Sequence, residues 1–184
     1  MNSDIIRVTR AWLEKVVIGY NFCPFAKPVF ITEKIAYVVQ TNPDFAEILE
    51  TLFDACKQLQ QADHITTTLI ILPHGLEVFD TYLDLLGMAE ALIERSGFSG
   101  EFQLASFHPH YVFADEPLDS PANYTNRSPY PMLHIIREAD IDIAMKDKDD
   151  ASAIYERNIR KANALGSAHF DALLSQIKKA AMPN

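Results

Sequence analysis

The chain has 184 residues, 48% of them hydrophobic and 22% charged, which is enough for one domain with a sizeable core and argues against large-scale disorder. Its 16 basic and 25 acidic residues give a net charge of -9, and this charge repels polyanions, so we expect neither nucleic acid nor an anionic membrane as a partner. The first residues, MNSD, lack the features of a secretion signal, and no apolar run approaches the length of a membrane helix. We therefore expect a cytoplasmic protein.

Helices and strands are predicted to alternate over the first part of the chain. Ser3 or Asp4 caps a first helix, whose apolar residues recur at helical spacing until Gly19. The elements that follow are a strand at 35–40, a helix at 43–61, a strand at 66–72, a helix at 77–96 and a strand at 101–107. This alternation is typical of right-handed crossovers and a parallel sheet.

The rest of the chain has a different pattern. A long loop rich in Pro, Asp and Asn occupies 108–128, and a helix that starts with proline is predicted from about 129. An acidic, lysine-bearing turn at 146–150 and two helices at 151–164 and 167–181 follow. We predict an α/β fold in a single domain, 1–184, with a small, mostly parallel sheet of three to four strands flanked by helices. Its C-terminal segment, from about 129, is predicted to be helical.

Three histidines follow predicted strands, where ligands usually bind in open α/β sheets. His74 follows the second strand, and His108 and His110 follow the third. In an extended backbone these last two imidazoles lie on the same side, about 7 Å apart, a spacing that suits two ligands of one metal or a pair binding an anion. A role as general acid or base requires only one of these histidines to be correctly placed. The plain alternative is a pair of loop histidines bonded to the backbone.

A second group of polar residues precedes the helix predicted from about 129. Arg127 offers a planar fork for a carboxylate or phosphate, and Ser128 and Asn126 flank it. Pro129 and Pro131 remove backbone donors from the first turn, so an anion would depend on the Arg127 side chain. The alternative is that Ser128 caps the helix while Arg127 pairs with an acid.

His134 lies on the polar face of the same predicted helix, four residues before Glu138. It is either a site residue or a half-buried histidine bonded to Glu138. Pairing on the protein surface is sufficient to explain Arg137 and Glu138.

The two cysteines have different surroundings. Cys56 lies on the apolar face of the second helix, which predicts an inert core thiol. Cys23 begins the run CPFA, which compares with the Cys-Pro-aromatic-Cys loops of thiol redox proteins. However, Ala26 stands in place of the second thiol, and Pro28 opposes a helix directly after it. Cys23 is thus either a single-thiol nucleophile or a packed core residue.

Three spaced motifs resemble one protein family. NFCPFA at 21–26, FHPHYVF at 107–113 and NRSPYPMLH at 126–134, with Arg137 and Glu138 after it, together resemble a bacterial family catalogued as a domain of unknown function, number 1415. The resemblance spans nearly the whole chain. It implies a soluble bacterial protein of about this size, and it brings no activity, cofactor or catalytic residue.

Our first hypothesis is an enzyme that acts on a small anionic metabolite at the strand ends. Its catalytic candidates are His108, His110, His134 and Cys23, and its substrate-binding candidates are Arg127, Ser128, Asn126 and His74. One alternative is a metal-dependent enzyme with His108 and His110 as ligands of a divalent metal, the only cofactor that the residues suggest. The other is a non-catalytic ligand-binding or protein-interaction module, with the prolines and aromatics of the loop as a rigid docking surface. The oligomeric state stays open.

Overall fold

The computed structural model describes residues 2–145 and 151–181, so the predicted turn at 146–150 lies outside the described residues. In chain order the elements are α1 (Asn2–Trp12), a π-helical turn (Leu13–Ile18), α2 (Ala26–Ile31), β1 (Ile35–Val39), α3 (Phe45–Gln61), β2 (Thr67–Ile71), α4 (Phe79–Arg95), β3 (Phe102–Phe107), a 3-10 turn (Pro121–Thr125), β4 (Met132–Arg137), α5 (Glu138–Met145), α6 (Ala151–Leu165) and α7 (Ser167–Ala181). The α/β class is confirmed, as are the first three strands, the helices between them and the two C-terminal helices.

The four strands form one sheet in the order β1-β2-β4-β3. β1 and β2 are parallel, whereas β4 is antiparallel to both of its neighbours, β2 and β3. The prediction of a mostly parallel sheet is therefore wrong, and the sheet is mixed. β3 still runs in the same direction as β1 and β2, because β2 and β3 are both antiparallel to the strand β4 that lies between them. Ile71 and Phe107 both lie opposite Met132, so the carboxyl ends of β2 and β3 meet at one edge of the sheet.

The helix predicted from about 129 is wrong, because Met132–Arg137 forms the strand β4. The spacing of Leu133 and Ile136 suits a helix, but hydrophobic layers cover both faces of β4, and a largely apolar run fits such a strand equally well. Pro129 and Pro131 precede the strand instead of opening a helix. Consequently His134 and Glu138 do not share a helix face, since Glu138 begins α5 and its N–H donates to Glu101 O at 3.0 Å.

Two hydrophobic layers cover the sheet. On one face, α3 and α4 pack on the strands around Tyr82 and Phe102, which are 0% and 1% exposed. On the other face, α1, the π-helical turn and α7 pack around Trp12 and Phe170, at 0% and 1%. Cys56 is fully buried in the first layer, which confirms a core cysteine, and burial raises the pKa of its thiol to about 12.

The short helix α2 differs from the sequence prediction, in which Pro28 opposes a helix directly after the CPFA run. Pro28 lies in the first turn, however, where no backbone N–H is needed for the helix ladder. None of the helices in the described ranges combines the length and apolar character needed to cross a bilayer.

Candidate functional site

The segments that carry His74, His108 and Arg127 lie side by side at the carboxyl ends of the first three strands. We call residues 72–77, 107–113 and 126–131 the strand-end edge. Leu72 N–H donates to Pro131 O at 2.9 Å, and His108 N–H donates to Asn126 O at 3.2 Å. The backbone of two of the family-like motifs is thus joined directly by hydrogen bonds.

His108 is fully buried within this edge, and both of its ring nitrogens are bonded. Nδ1 accepts the backbone N–H of His110 at 3.0 Å, so Nε2 holds the proton and donates it to Leu76 O at 2.8 Å. The ring centroid lies 5.1 Å from those of Phe79 and Tyr82. Burial lowers the pKa of His108, so the imidazole is held neutral.

The extended backbone predicted for residues 108–110 is replaced by a turn. Tyr111 N–H donates to His108 O at 3.1 Å, and the imidazole centroids of His108 and His110 lie 5.9 Å apart. Within residues 2–145 and 151–181, no three His, Cys, Asp or Glu side chains lie close enough together to bind one metal ion. His108 also has no free nitrogen lone pair in this conformation, so no donor set in the described part of the chain supports the metal-dependent alternative.

His110 and His74 are the exposed histidines of the edge. Near His74, the Glu77 carboxylate accepts the N–H of Gly75 at 2.9 Å. Hydrogen bonds from the backbone of Glu77 and Gly75 lower the pKa of Glu77, with a smaller contribution from His74. Gly75 has φ +79°, and a Cβ there would lie 2.3 Å from Pro43 Cβ, so only glycine fits this turn.

The guanidinium of Arg127 bonds to backbone carbonyls of the chain itself. Nε donates to Tyr111 O at 3.2 Å and Nη2 to Leu118 O at 2.8 Å, while the guanidinium lies 4.4 Å from the centroid of the Tyr124 ring. The flanking residues do the same, since Ser128 Oγ donates to Tyr130 O at 2.6 Å and Asn126 Nδ2 donates to Ser106 O at 3.1 Å. Asn126 thus ties the end of the long loop to β3, whereas Arg127 joins two points within the loop and Ser128 bonds locally.

We expect Arg127→Ala to lower the free energy of unfolding by about 2 kcal/mol, because two carbonyls of the loop lose a charged donor. At this chain length the melting temperature should fall by about 4 to 8 °C. Differential scanning calorimetry measures the change, and Arg160→Ala, which removes an exposed pair with Glu156, is the control. An unaltered melting temperature in Arg127→Ala would contradict a structural role.

His134 lies away from this edge, inside the sheet. It is on β4 opposite Leu69 and Ala105, and its Nε2 lies 2.6 Å from Thr67 Oγ1. Because that hydroxyl donates to Ile135 O at 2.5 Å, it must accept the proton of Nε2. Burial lowers the pKa of His134 to about 4. His134 is a neutral, half-buried histidine bonded to Thr67.

The Cys23 turn is fixed by side chains of α6 that the sequence did not reveal. Arg157, Asn158 and Lys161 donate to the backbone oxygens of Asn21, Phe22 and Tyr20 at 2.7, 2.6 and 2.9 Å respectively. Cys23 itself is half-buried and packs against the hydrophobic layer that contains Trp12.

Arg137 is the other residue that sequence reasoning misplaced, as a surface group. Its Nη2 donates to three carbonyls in the last turn of α3 and the loop before β2, those of Leu59, Ala62 and Ile65, the last two at 3.1 Å each. The signal in the sequence is the position of Arg137 directly after the largely apolar run 132–136.

A family model described as a protein of unknown function, DUF1415, matches residues 4–172 of the chain. The chain belongs to this family. The resemblance given by the three motifs is thereby confirmed, and all three lie within the matched span. Neither a curated protein nor a solved structure matches this DUF1415 chain.

A row of aromatic rings crosses the strand-end edge of the DUF1415 chain. The rings are those of Phe79, Tyr111, Phe113 and Tyr155, with successive centroids 5.2, 4.9 and 6.0 Å apart. Tyr155 is 46% exposed, and the other three are half-buried. We call these four residues the aromatic row. It joins the start of α4, the long loop and α6 in one continuous strip.

Proposed function

We propose that this DUF1415 protein is a non-catalytic interaction module, and that the aromatic row binds an extended, proline-rich segment of a partner. The observation that supports the proposal is the contiguity of four partly exposed rings, two of which lie on a fixed loop and two on the helices beside it. Proline-rich segments dock on aromatic-lined surfaces, because their backbone is already ordered and their rings pack flat on aromatic faces.

The loop that presents the row is held by internal hydrogen bonds. Asn123 Oδ1 accepts the N–H of Phe113 at 3.0 Å, and its Nδ2 donates to Pro117 O at 2.9 Å. Arg127 adds bonds to the carbonyls of Tyr111 and Leu118. A surface that is already fixed loses little conformational entropy on binding, and this favours recognition.

The polar groups of the edge favour docking over binding of a small anion. Two of the five N–H donors of Arg127 bond to backbone carbonyls, which fix its guanidinium on the loop, and His108 is buried and doubly bonded. The side chains that reach solvent along the row are aromatic.

The charges beside the row indicate the kind of proline-rich segment. Four carboxylates on the adjoining segments are exposed, those of Glu77, Asp80, Asp115 and Asp119. Because these attract cations, the proposed ligand has lysine or arginine beside its prolines.

Fluorescence anisotropy with a labelled proline-rich peptide flanked by arginines tests the proposal. Phe113→Ser and Tyr155→Ser should each weaken binding about tenfold, the loss of about 1.4 kcal/mol of ring contact. Ile143→Ser, which alters a 65% exposed residue of α5, is the matched control and should bind as the wild type does.

Two results would overturn the proposal. One is equal affinity for the peptide and for a version with serine in place of every proline. The other is unchanged binding in both ring variants.

A further inference from the structure

A second apolar surface lies on the other side of the molecule from α1 and α7, between α3 and α4. These helices leave a groove of about 570 Å³, whose apolar lining is Leu49, Leu83, Gly87, Met88, Ala91 and Leu92. We call it the α3–α4 groove. Leu83 and Met88 are 42% and 48% exposed, and Phe53 of α3 is 38% exposed. Three of the large hydrophobic side chains that reach solvent thus belong to these two helices.

Gly87 leaves the wall of the groove open. It lies in the interior of α4 without a positive φ, and a Cβ there would meet no atom within 4 Å. Neither close packing nor a turn requires glycine, although glycine destabilises a helix interior relative to alanine. The missing side chain instead leaves open space in the groove lining next to Met88.

The charge around the groove indicates what occupies it. The exposed side chains of α3 and α4 include seven carboxylates but only two cations, Lys57 and Arg95. One residue of each sign, Asp84 and Arg95, lies in the groove lining itself, so the acidic excess comes from the other exposed side chains of the two helices. A second copy of the chain would bring the same acidic helices against these, so a homotypic contact through this face is disfavoured.

We propose that the α3–α4 groove binds an amphipathic helix of another protein, with leucine or methionine on its apolar face and lysine or arginine on its flanks. Helix-in-groove recognition places side chains one turn apart into an apolar channel. Here the open space at Gly87 takes one of them, and the carboxylates beside the channel pair with the flanking cations. The groove and the aromatic row are separate surfaces, so this inference does not depend on the proposed function.

The probe is a synthetic helical peptide of about four turns, with leucines on one face and lysines on both flanks. A matched peptide has glutamates in place of the lysines. By fluorescence anisotropy in low salt, the lysine peptide should bind at least about tenfold more tightly, and the difference should shrink as salt is raised. Equal affinities would overturn the charge assignment.

Variants of the groove locate the binding. Gly87→Phe places a ring in the groove and should weaken binding of the lysine peptide about tenfold or more, whereas the matched control Gly87→Ala should bind within about twofold of wild type. Asp84→Lys, an exposed charge reversal, should weaken binding of the lysine peptide and strengthen binding of the glutamate peptide. This variant replaces Gly87→Phe in the test if circular dichroism shows that Gly87→Phe does not fold. Unchanged binding in the folded variants overturns the site.

Two further measurements separate this inference from its rivals. Phe113→Ser should leave the affinity for the lysine peptide unchanged, and Gly87→Phe should leave the affinity for the proline-rich peptide unchanged. Sedimentation of the wild type and of Gly87→Phe tests for self-association. A dimer that becomes a monomer in Gly87→Phe would assign the groove to a second copy and overturn the proposal.

Discussion

Replacing His108 with alanine is expected to lower the free energy of unfolding by about 4 kcal/mol. The imidazole satisfies two backbone groups from different parts of the chain, Leu76 O and the N–H of His110. Each buried group left without a partner costs about 1 to 3 kcal/mol, and the cavity between Phe79 and Tyr82 adds to the loss. Because Leu76 is only 1% exposed, water cannot readily replace the lost donor.

Urea unfolding followed by circular dichroism measures this loss. A change of this size should lower the urea midpoint by about 2 M at an unchanged slope. His110→Ala is the control, since that side chain is exposed and its backbone N–H is retained, and it should stay within about 0.5 kcal/mol of wild type. A His108→Ala protein as stable as wild type would contradict the structural role and return His108 to the candidates for chemistry.

The contrast between β2 and β4 explains how far the sequence could predict the fold. Thr67–Ile71 is a β-branched run stopped by a proline, and it was placed correctly because no helical pattern competes with it. Met132–Arg137 is also buried, but Leu133 and Ile136 are spaced as on a helix. Because both faces of β4 are covered by hydrophobic layers, its residues do not alternate between polar and apolar, and nothing separates the strand pattern from the helix pattern. The insertion of β4 between β2 and β3 depends on pairing between distant segments, which local spacing does not encode.

The sequence predicts where the candidate site residues lie better than it predicts their hydrogen-bond partners. The position of His108 after a strand was enough to place it at the strand-end edge. Its partner Leu76 belongs to another strand's loop, however, and nothing near His108 in the sequence indicates it. Arg127 shows the same limit, because the fork that suits an anion suits the carbonyls of Tyr111 and Leu118 equally well.

The family-like motifs at this edge thus share one physical role. Their polar side chains, such as His108 and Arg127, face inward and fix the loop, while Tyr111 and Phe113 lie at its surface. Proline limits the backbone of the same segment at Pro109. A loop stabilised in this way presents side chains in one arrangement, which is what a docking surface requires and what a flexible lid does not.

His134 should make the stability of the protein depend on pH between about 6.5 and 4. Its pKa is lowered from 6.5 to about 4 by burial, so the unfolded chain binds a proton in this range before the folded one does. The contribution of His134 to the free energy of unfolding is fully present above the pKa of the unfolded state. It is lost as the pH decreases towards the pKa of the folded state, and the total loss is about 3 kcal/mol. The lowered pKa of His108 acts in the same direction.

Comparison with His134→Gln isolates this contribution from that of the carboxylates, which also gain protons in acid. Glutamine does not titrate, and its amide can still donate to Thr67 Oγ1. The difference in free energy of unfolding between wild type and His134→Gln, measured in urea from pH 7.5 to 4, should therefore shift by about 3 kcal/mol in favour of the variant as the pH falls. A constant difference over that range would mean that His134 is protonated inside the fold, and the hydrogen bond to Thr67 would then have to be reassigned.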